Sequence, residues 1–163
     1  LRALAAYADL RVTHLKPHGA LSNMAAENSD YALAIGRAIR AVDRSIIYLA
    51  VAGSEMEKAG HELGLAVARE GFCDRQYEDD GNLTPRRIPG AVITDPELAR
   101  RQVLDMVVNN TITTRSGRTI PCKVHSLCVH GDEPGAVALA REVRKALEQA
   151  GVRLAPLTEV PLD

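Results

Sequence analysis

Three short stretches hold residues whose types and spacing suit chemistry. The first is Lys16-Pro17-His18-Gly19. Pro17 fixes its own φ and Gly19 permits a tight turn, so Lys16 and His18 are candidates for rigid presentation after an apolar run. The second is Cys73-Asp74-Arg75, followed by Asp79-Asp80-Gly81 and Pro85-Arg86-Arg87. Alternating carboxylates and guanidiniums suit a polar substrate bearing a carboxylate, because Arg pairs with carboxylates in a fork. The third is Val129-His130-Gly131-Asp132. His and Asp two apart suit a general base with an orienting carboxylate, or a pair of metal ligands, if the turn at Gly131 folds back. Each has a plainer reading beside it. Lys16 and His18 also suit a solvated loop, and the charged stretch also suits weak surface ion pairs. Asp132 also suits a cap on a helix opening at Pro134. His14, His61 and His125 have no comparable setting.

Other chemistries are excluded by what is missing. No G-x-x-x-x-G-K-S/T loop and no G-x-G-x-x-G after a strand occurs, nor G-x-S-x-G, nor H-E-x-x-H. The 163 residues carry 20 basic and 21 acidic side chains, a formal charge of -1. That balance argues against a nucleic-acid surface and gives no reason to expect an anionic membrane as partner. With no Trp and one Phe, stacking platforms for bases or sugars are scarce. Hydrophobic content of 46% is that of a globular chain, not a disordered one. Cys73, Cys122 and Cys128 are odd in number and form no C-x-x-C, so buried thiols are expected rather than a disulfide framework. The longest apolar run, 46–53, is strand-sized and too short to span a membrane.

The candidates must be positioned by alternating strands and helices. Leu1 to Asp9 reads as a helix and Val12 to Leu15 as a strand. Ser29 is expected to cap a helix to about Val42, with Tyr31, Ile35, Ala38 and Val42 on its buried face. Ser45 to Ala52 has the continuous aliphatic character of a strand buried on both faces. Ser54 with Glu57 makes a capping-box pattern for a helix carried to about Arg69. Asp95-Pro96-Glu97 starts another helix, with Ala99, Val103, Met106 and Val107 inward. Arg115 to Arg118 reads as a turn and Ser126 to His130 as a strand. Pro134 opens the last helix, with Val137, Ala140, Val143 and Leu147 inward and Gly151 past its end. Val152 to Leu154 is a candidate final strand. Strand, loop and helix repeated, with little room for hairpins, implies an α/β fold of parallel strands. In such folds ligands bind at the C-terminal strand ends, where all three stretches fall.

At these same residues the chain resembles the LamB/YcsF family, described as the A subunit of the ATP-dependent bacterial 5-oxoprolinase. The resemblance is carried by His14-Leu15-Lys16-Pro17-His18-Gly19-Ala20-Leu21, by Glu70 to Pro89 and by Cys128-Val129-His130-Gly131-Asp132-Glu133-Pro134. Ser22 stands where the family usually has Tyr, and Cys73 where it usually has Ala. The family's Asp-Leu-Asn-x-Asp, Cys-Gly-Phe-His-Ala-Gly-Asp and Gly-Ala-His-Pro motifs are absent, so the chain looks like the family's carboxy-terminal two-thirds. The resemblance implies a seven-stranded (β/α) barrel of the glycoside hydrolase and deacetylase type. Residues 1–163 would then form one barrel domain lacking the N-terminal strands.

It also implies cleavage of 5-oxo-L-proline to L-glutamate, with ATP as co-substrate and two further subunits as partners. On that basis Lys16, His18, Asp74, His130 and Asp132 are the expected catalytic residues. Asn23, Arg75, Asp80 and Arg86 are the expected substrate-binding residues, with Arg75 or Arg86 on the substrate carboxylate. A metal requirement is left open, the expected location is cytoplasmic, and self-association is expected if strand edges are left unpaired. Two other readings stand beside this one: a metal-dependent deacetylase or amidase-like hydrolase of the same barrel type, and a non-catalytic assembly component.

Overall fold

A computed structural model describes residues 1–132 and 134–162, so Glu133 of the third motif lies outside the described residues. The chain divides into two compact units, and the division falls within one strand.

The first unit runs from Leu1 to Ala68 and takes in the C-terminal Pro161 and Leu162. It contains α1 (Arg2–Tyr7), β1 (His14–Leu15), α2 (Ala20–Glu27), α3 (Ser29–Val42), β2 (Ile47–Val51) and α4 (Glu55–Glu62). All five residues of β2 are buried, as its aliphatic run requires. It pairs in parallel with β1, His14 opposite Ile47 and Leu15 opposite Tyr48. On its other side Tyr48 N–H donates to Ala66 O at 2.8 Å.

Several sequence expectations for this unit need correction. Strand β1 is shorter than the Val12–Leu15 run. Helix α3 is capped by Asn28, whose side chain accepts from the Asp30 and Tyr31 N–H groups, and not by Ser29. Its buried face is Ala32, Gly36 and Ile39; Tyr31 and Ala38 are exposed, and Val42 is 61% exposed. The reason is close packing: a Cβ at Gly36 would lie 2.6 Å from Leu63 Cδ1, so the smallest residue faces inward. Helix α4 ends at Glu62 and not near Arg69, because Gly64 at φ +64 turns the chain. Ser54 accepts from Met56 N–H as expected, while Glu57 Oε2 reaches one residue further back, to Gly53 N–H at 2.7 Å.

Strand β3 (Val67–Phe72) carries the chain into the second unit, Arg69 to Val160. There follow a long loop, α5 (Pro96–Leu104), a π-helical turn (Asp105–Asn109), β4 (Thr111–Thr113), β5 (Thr119–Pro121), β6 (Ser126–Cys128), α6 (Ala136–Gln149) and a 3₁₀ turn (Leu157–Glu159). Glu70, Gly71 and Phe72 pair in parallel with Ser126, Leu127 and Cys128. Asp95 caps α5 through Glu97 N–H at 2.8 Å, and Ala99, Val103 and Met106 are fully buried as expected. The 115–118 turn joins β4 and β5 into an antiparallel hairpin, which the expected run of crossovers left out. On α6 the inward residues are Val143, Ala146 and Leu147; Ala140 is exposed and Val137 is 67% exposed. Gly135 occupies the cap position with no side-chain bond, so Asp132 does not cap this helix. Residues 152–154 form no strand; Val152 joins Leu127, Val129 and Leu139 around a core of Cys73, Val103, Val143 and Leu147. Among the described residues no helix is long and apolar enough to cross a membrane.

Candidate active site

The last rung between β3 and β6 is Cys73 N–H donating to Cys128 O at 3.0 Å. Past it, each chain segment delivers one functional side chain. Asp74 leaves β3 with its side chain only 4% exposed, and His130 leaves β6 with its side chain 22% exposed. Asp74 Oδ2 accepts from His130 N–H at 2.8 Å, and both carboxylate oxygens lie 2.9–3.0 Å from His130 Nδ1. A carboxylate only accepts, so the Nδ1 facing it carries a proton, and in the neutral imidazole Nε2 then holds the lone pair. Phe72 backs the imidazole, the rings stacked with centroids 5.7 Å apart. The assembly is an oriented, partly accessible base.

The orienting carboxylate is therefore Asp74, and the expected pairing of His130 with Asp132 is corrected. Among the described residues Asp132 makes no hydrogen bond to His130. Asp132 points outward, where its carboxylate accepts from Arg86 Nη1 at 3.3 Å. Its own backbone N–H, and then Arg86, hold that carboxyl below the usual aspartate range.

The loop after Asp74 is held by its own side chains. Arg75 is buried and donates to Thr84 O at 2.6 Å and Ala91 O at 3.4 Å. Burial, and then the neighbouring Arg86, lower the pKa of its guanidinium. Arg75 thus braces the loop, while Arg86 is exposed beside the outer carboxylate of Asp132. Asp80 is exposed and accepts from Asn82 N–H and Nδ2, closing the turn around Gly81 at φ +87. Asp79 accepts from the Thr114 and Ser116 hydroxyls on the β4–β5 hairpin.

In the first unit, Lys16 is half-buried directly after β1, Pro17 is buried and His18 is exposed. Gly19, at φ +61, begins α2, on which Asn23 is exposed and Ser22 buried.

Two buried side chains went unnoticed in the sequence. Tyr77 OH accepts from Phe72 N–H at 2.8 Å. Gln102 Nε2 donates to Phe72 O at 2.8 Å and Arg75 O at 2.9 Å. The signal for Gln102 was present, since it sits on the same helical face as Ala99, Val103 and Met106.

The three cysteines are in the reduced thiol form, and Cys73 and Cys122 are buried as expected. Burial foremost, with Asp74 beside it, pushes the Cys73 thiol far above the usual range. Among the described residues no group of three or more His, Cys, Asp or Glu gathers as metal ligands.

Comparison with known proteins identifies the family of the chain. A model of the LamB/YcsF family matches residues 1–161. A 5-oxoprolinase A subunit from Rhodopseudomonas palustris (strain BisB18) is 47% identical over 156 residues, covering 96% of this chain and 61% of that protein. One of the same name from Coprothermobacter proteolyticus is 50% identical over 147 residues, covering 90% of this chain and 56% of that protein. The crystal structure of a lactam utilization protein from Thermus thermophilus superposes with a TM-score of 0.85 at 38% identity, over 93% of this chain and 60% of that one. The chain thus spans about three-fifths of the length of such relatives. The chain belongs to the LamB/YcsF family.

Proposed function

We propose that this chain is the base-bearing part of a 5-oxoprolinase A subunit, working with two partner subunits on 5-oxo-L-proline in the cytoplasm. The observation that carries the reading is the buried Asp74 carboxylate holding His130 with its Nε2 free, at the C-terminal ends of two adjacent parallel strands. Family membership supplies the substrate class, since relatives carry 5-oxoprolinase and lactam utilization names.

Lactam hydrolysis needs a nucleophilic water and a protonated leaving nitrogen. His130 Nε2 takes a proton from water as its oxygen bonds to the lactam carbonyl carbon. The tetrahedral intermediate collapses by breaking the ring C–N bond, and the imidazolium returns that proton to the nitrogen. Water and 5-oxoproline thereby give glutamate, and Asp74 stabilises the imidazolium between the two transfers. Arg86 exchanges Asp132 for the substrate carboxylate. Arg75, committed to the loop, is not assigned that role. Asp80 is likewise given a turn-forming role only.

ATP enters this proposal as co-substrate of the assembled complex. The sequence holds no glycine-rich phosphate loop. No step is assigned to Lys16, His18 or Asn23. The proposal also takes the family's seven-stranded barrel as the context in which β3 and β6 stand. Steady-state turnover of 5-oxoproline by the reconstituted complex tests it. His130→Ala is expected to abolish turnover and Arg86→Ala to raise KM. Wild-type turnover by His130→Ala would sink the reading, and full turnover by the partner subunits alone would favour an assembly role.

A further inference from the structure

We propose that Gln102 is a positioning residue for the Asp74–His130 pair. Its side-chain amide is the clamp that sets the turn from which Asp74 projects. The inference rests on His130 being the base, and it concerns what holds that base in register.

Asp74 stands two residues beyond the end of β3, where the ladder to β6 has ended and Ile93 N–H donates to Asp74 O at 2.9 Å. Its carboxylate must nonetheless meet His130 N–H and Nδ1 at once. The backbone bond from Ile93 and that from Cys73 N–H to Cys128 O each hold a single point of the 73–75 segment. The Gln102 Nε2 group spans it, donating one hydrogen to Phe72 O and the other to Arg75 O, the carbonyls on either side of Cys73-Asp74. Both N–H donors of one planar amide are thereby used, and the two carbonyls are held at a set separation. The residue is buried, so water does not substitute for it.

The clamp is anchored from behind. Gln102 lies on α5 next to Val103, which packs in the same core cluster as Cys73. One turn further on, Met106 Sδ would lie 2.5 Å from a Cβ at Gly71. Helix α5 and the turn that follows it thus pack against the chain on both sides of Phe72, at Gly71 and at Cys73, with Gln102 bonding the backbone between them. The Phe72 ring stacks on His130, so the clamp on Phe72 O sets the backing of the imidazole as well as its carboxylate partner.

The test uses Gln102→Met, which keeps length and removes both donors, in the reconstituted complex and in this chain. Turnover should fall by about 10- to 100-fold in kcat with KM changed less than ~3-fold, since sub-ångström misplacement of a base acts on chemistry and not on binding. The second readout needs no activity: long-range ¹H–¹⁵N correlation of the His130 ring should shift from pure Nδ1–H toward an Nε2–H mixture. A folded Gln102→Met protein with wild-type kcat and ring tautomer, merely less heat-stable, overturns the proposal. Should that variant not fold, scalar couplings across the hydrogen bonds from Gln102 Nε2 to the Phe72 and Arg75 carbonyl carbons in the wild-type chain decide it. Their absence overturns it as well. Loss of the ring tautomer in Gln102→Met together with an active His130→Ala would keep the clamp and refute the base.

Discussion

Replacing Asp74 by Asn changes one atom and tests the orientation of His130 directly. The carboxylate accepts two hydrogen bonds from one residue, from the backbone N–H at 2.8 Å and from Nδ1 at 2.9 Å. Bonds to a charged acceptor contribute about 1.5–3 kcal/mol each. The Asn amide keeps one acceptor, so it meets one of the two donors as before and its NH₂ must face the other. Backbone N–H cannot yield, because its proton is fixed. The ring can, by moving its proton to Nε2 and accepting at Nδ1. Asp74→Asn should therefore cost about 1.5–3 kcal/mol of stability, read by urea unfolding, because the surviving contacts are neutral. It should also remove the Nε2 lone pair. Loss of a general base costs about 10²–10⁴ in rate, so kcat for 5-oxoproline in the complex should fall by that factor. Because Asp74 acts only through His130, adding Asp74→Asn to His130→Ala should lower kcat little further. A folded Asp74→Asn complex turning over within ~3-fold of wild type, or fully additive losses in the double variant, would refute the reasoning.

Three further outcomes follow from the packing and charges of the second unit. Gly71→Ala should destabilise by about 1–3 kcal/mol through overpacking against Met106 and Val124, and Met106→Ala should restore part of the loss; an unchanged urea midpoint contradicts the close approach. The Thr114 and Ser116 hydroxyls hold the Asp79 carboxyl below the usual range, so its anchoring of the hairpin is complete above the ordinary aspartate pKa and lost as pH falls through the lowered one. Hydrogen-exchange protection factors at Thr114 and Arg118, whose N–H groups border this turn, should fall only in that acid range, and loss of protection beginning near neutrality would contradict it. Burial and Asp74 keep Cys73 protonated, so thiol reagents at about pH 8 should modify it only after unfolding, and rapid native labelling would count against the packed cluster around it.

The elements were legible where one face of the chain had one task. The aliphatic 45–52 run and the Asp95-Pro96-Glu97 start both appear where patterning placed them, because burial and capping are local in sequence. Helix α3 shows the limit. Tyr31 and Val42 outweigh Ala32 and Gly36 in hydrophobicity, yet the small residues face inward because the space beside Leu63 admits nothing larger. Size complementarity is a property of two surfaces, and one helix carries only half of it. The extended reading of α4 failed similarly, since Val67-Ala68 continues an apolar periodicity that Gly64 has already interrupted. At the site, the strand ends were visible but their partnership was not. Asp74 and His130 are 56 residues apart, and only the β3–β6 register brings them together. Proximity in sequence favoured Asp132, which the chain direction carries away.

That register also explains why the two aspartates differ in kind. Phe72 stands opposite Cys128 in a parallel pair, so Asp74 and His130 each lie two residues beyond the same rung. Equal steps past a shared rung keep two segments side by side, and the carboxylate that meets the imidazole there is enclosed by the strands that deliver it. Asp132 lies two residues further along only one segment, with no counterpart keeping pace, and it emerges into solvent beside Arg86. A buried carboxylate with both oxygens engaged is costly to disturb, which suits a group that must hold an imidazole in one tautomer through a catalytic cycle. An exposed ion pair contributes about 0–1 kcal/mol and exchanges partners readily. The Arg86–Asp132 pair is therefore the one of the two arginine contacts that exchanges at little cost, whereas Arg75 is bonded to two backbone carbonyls in the interior.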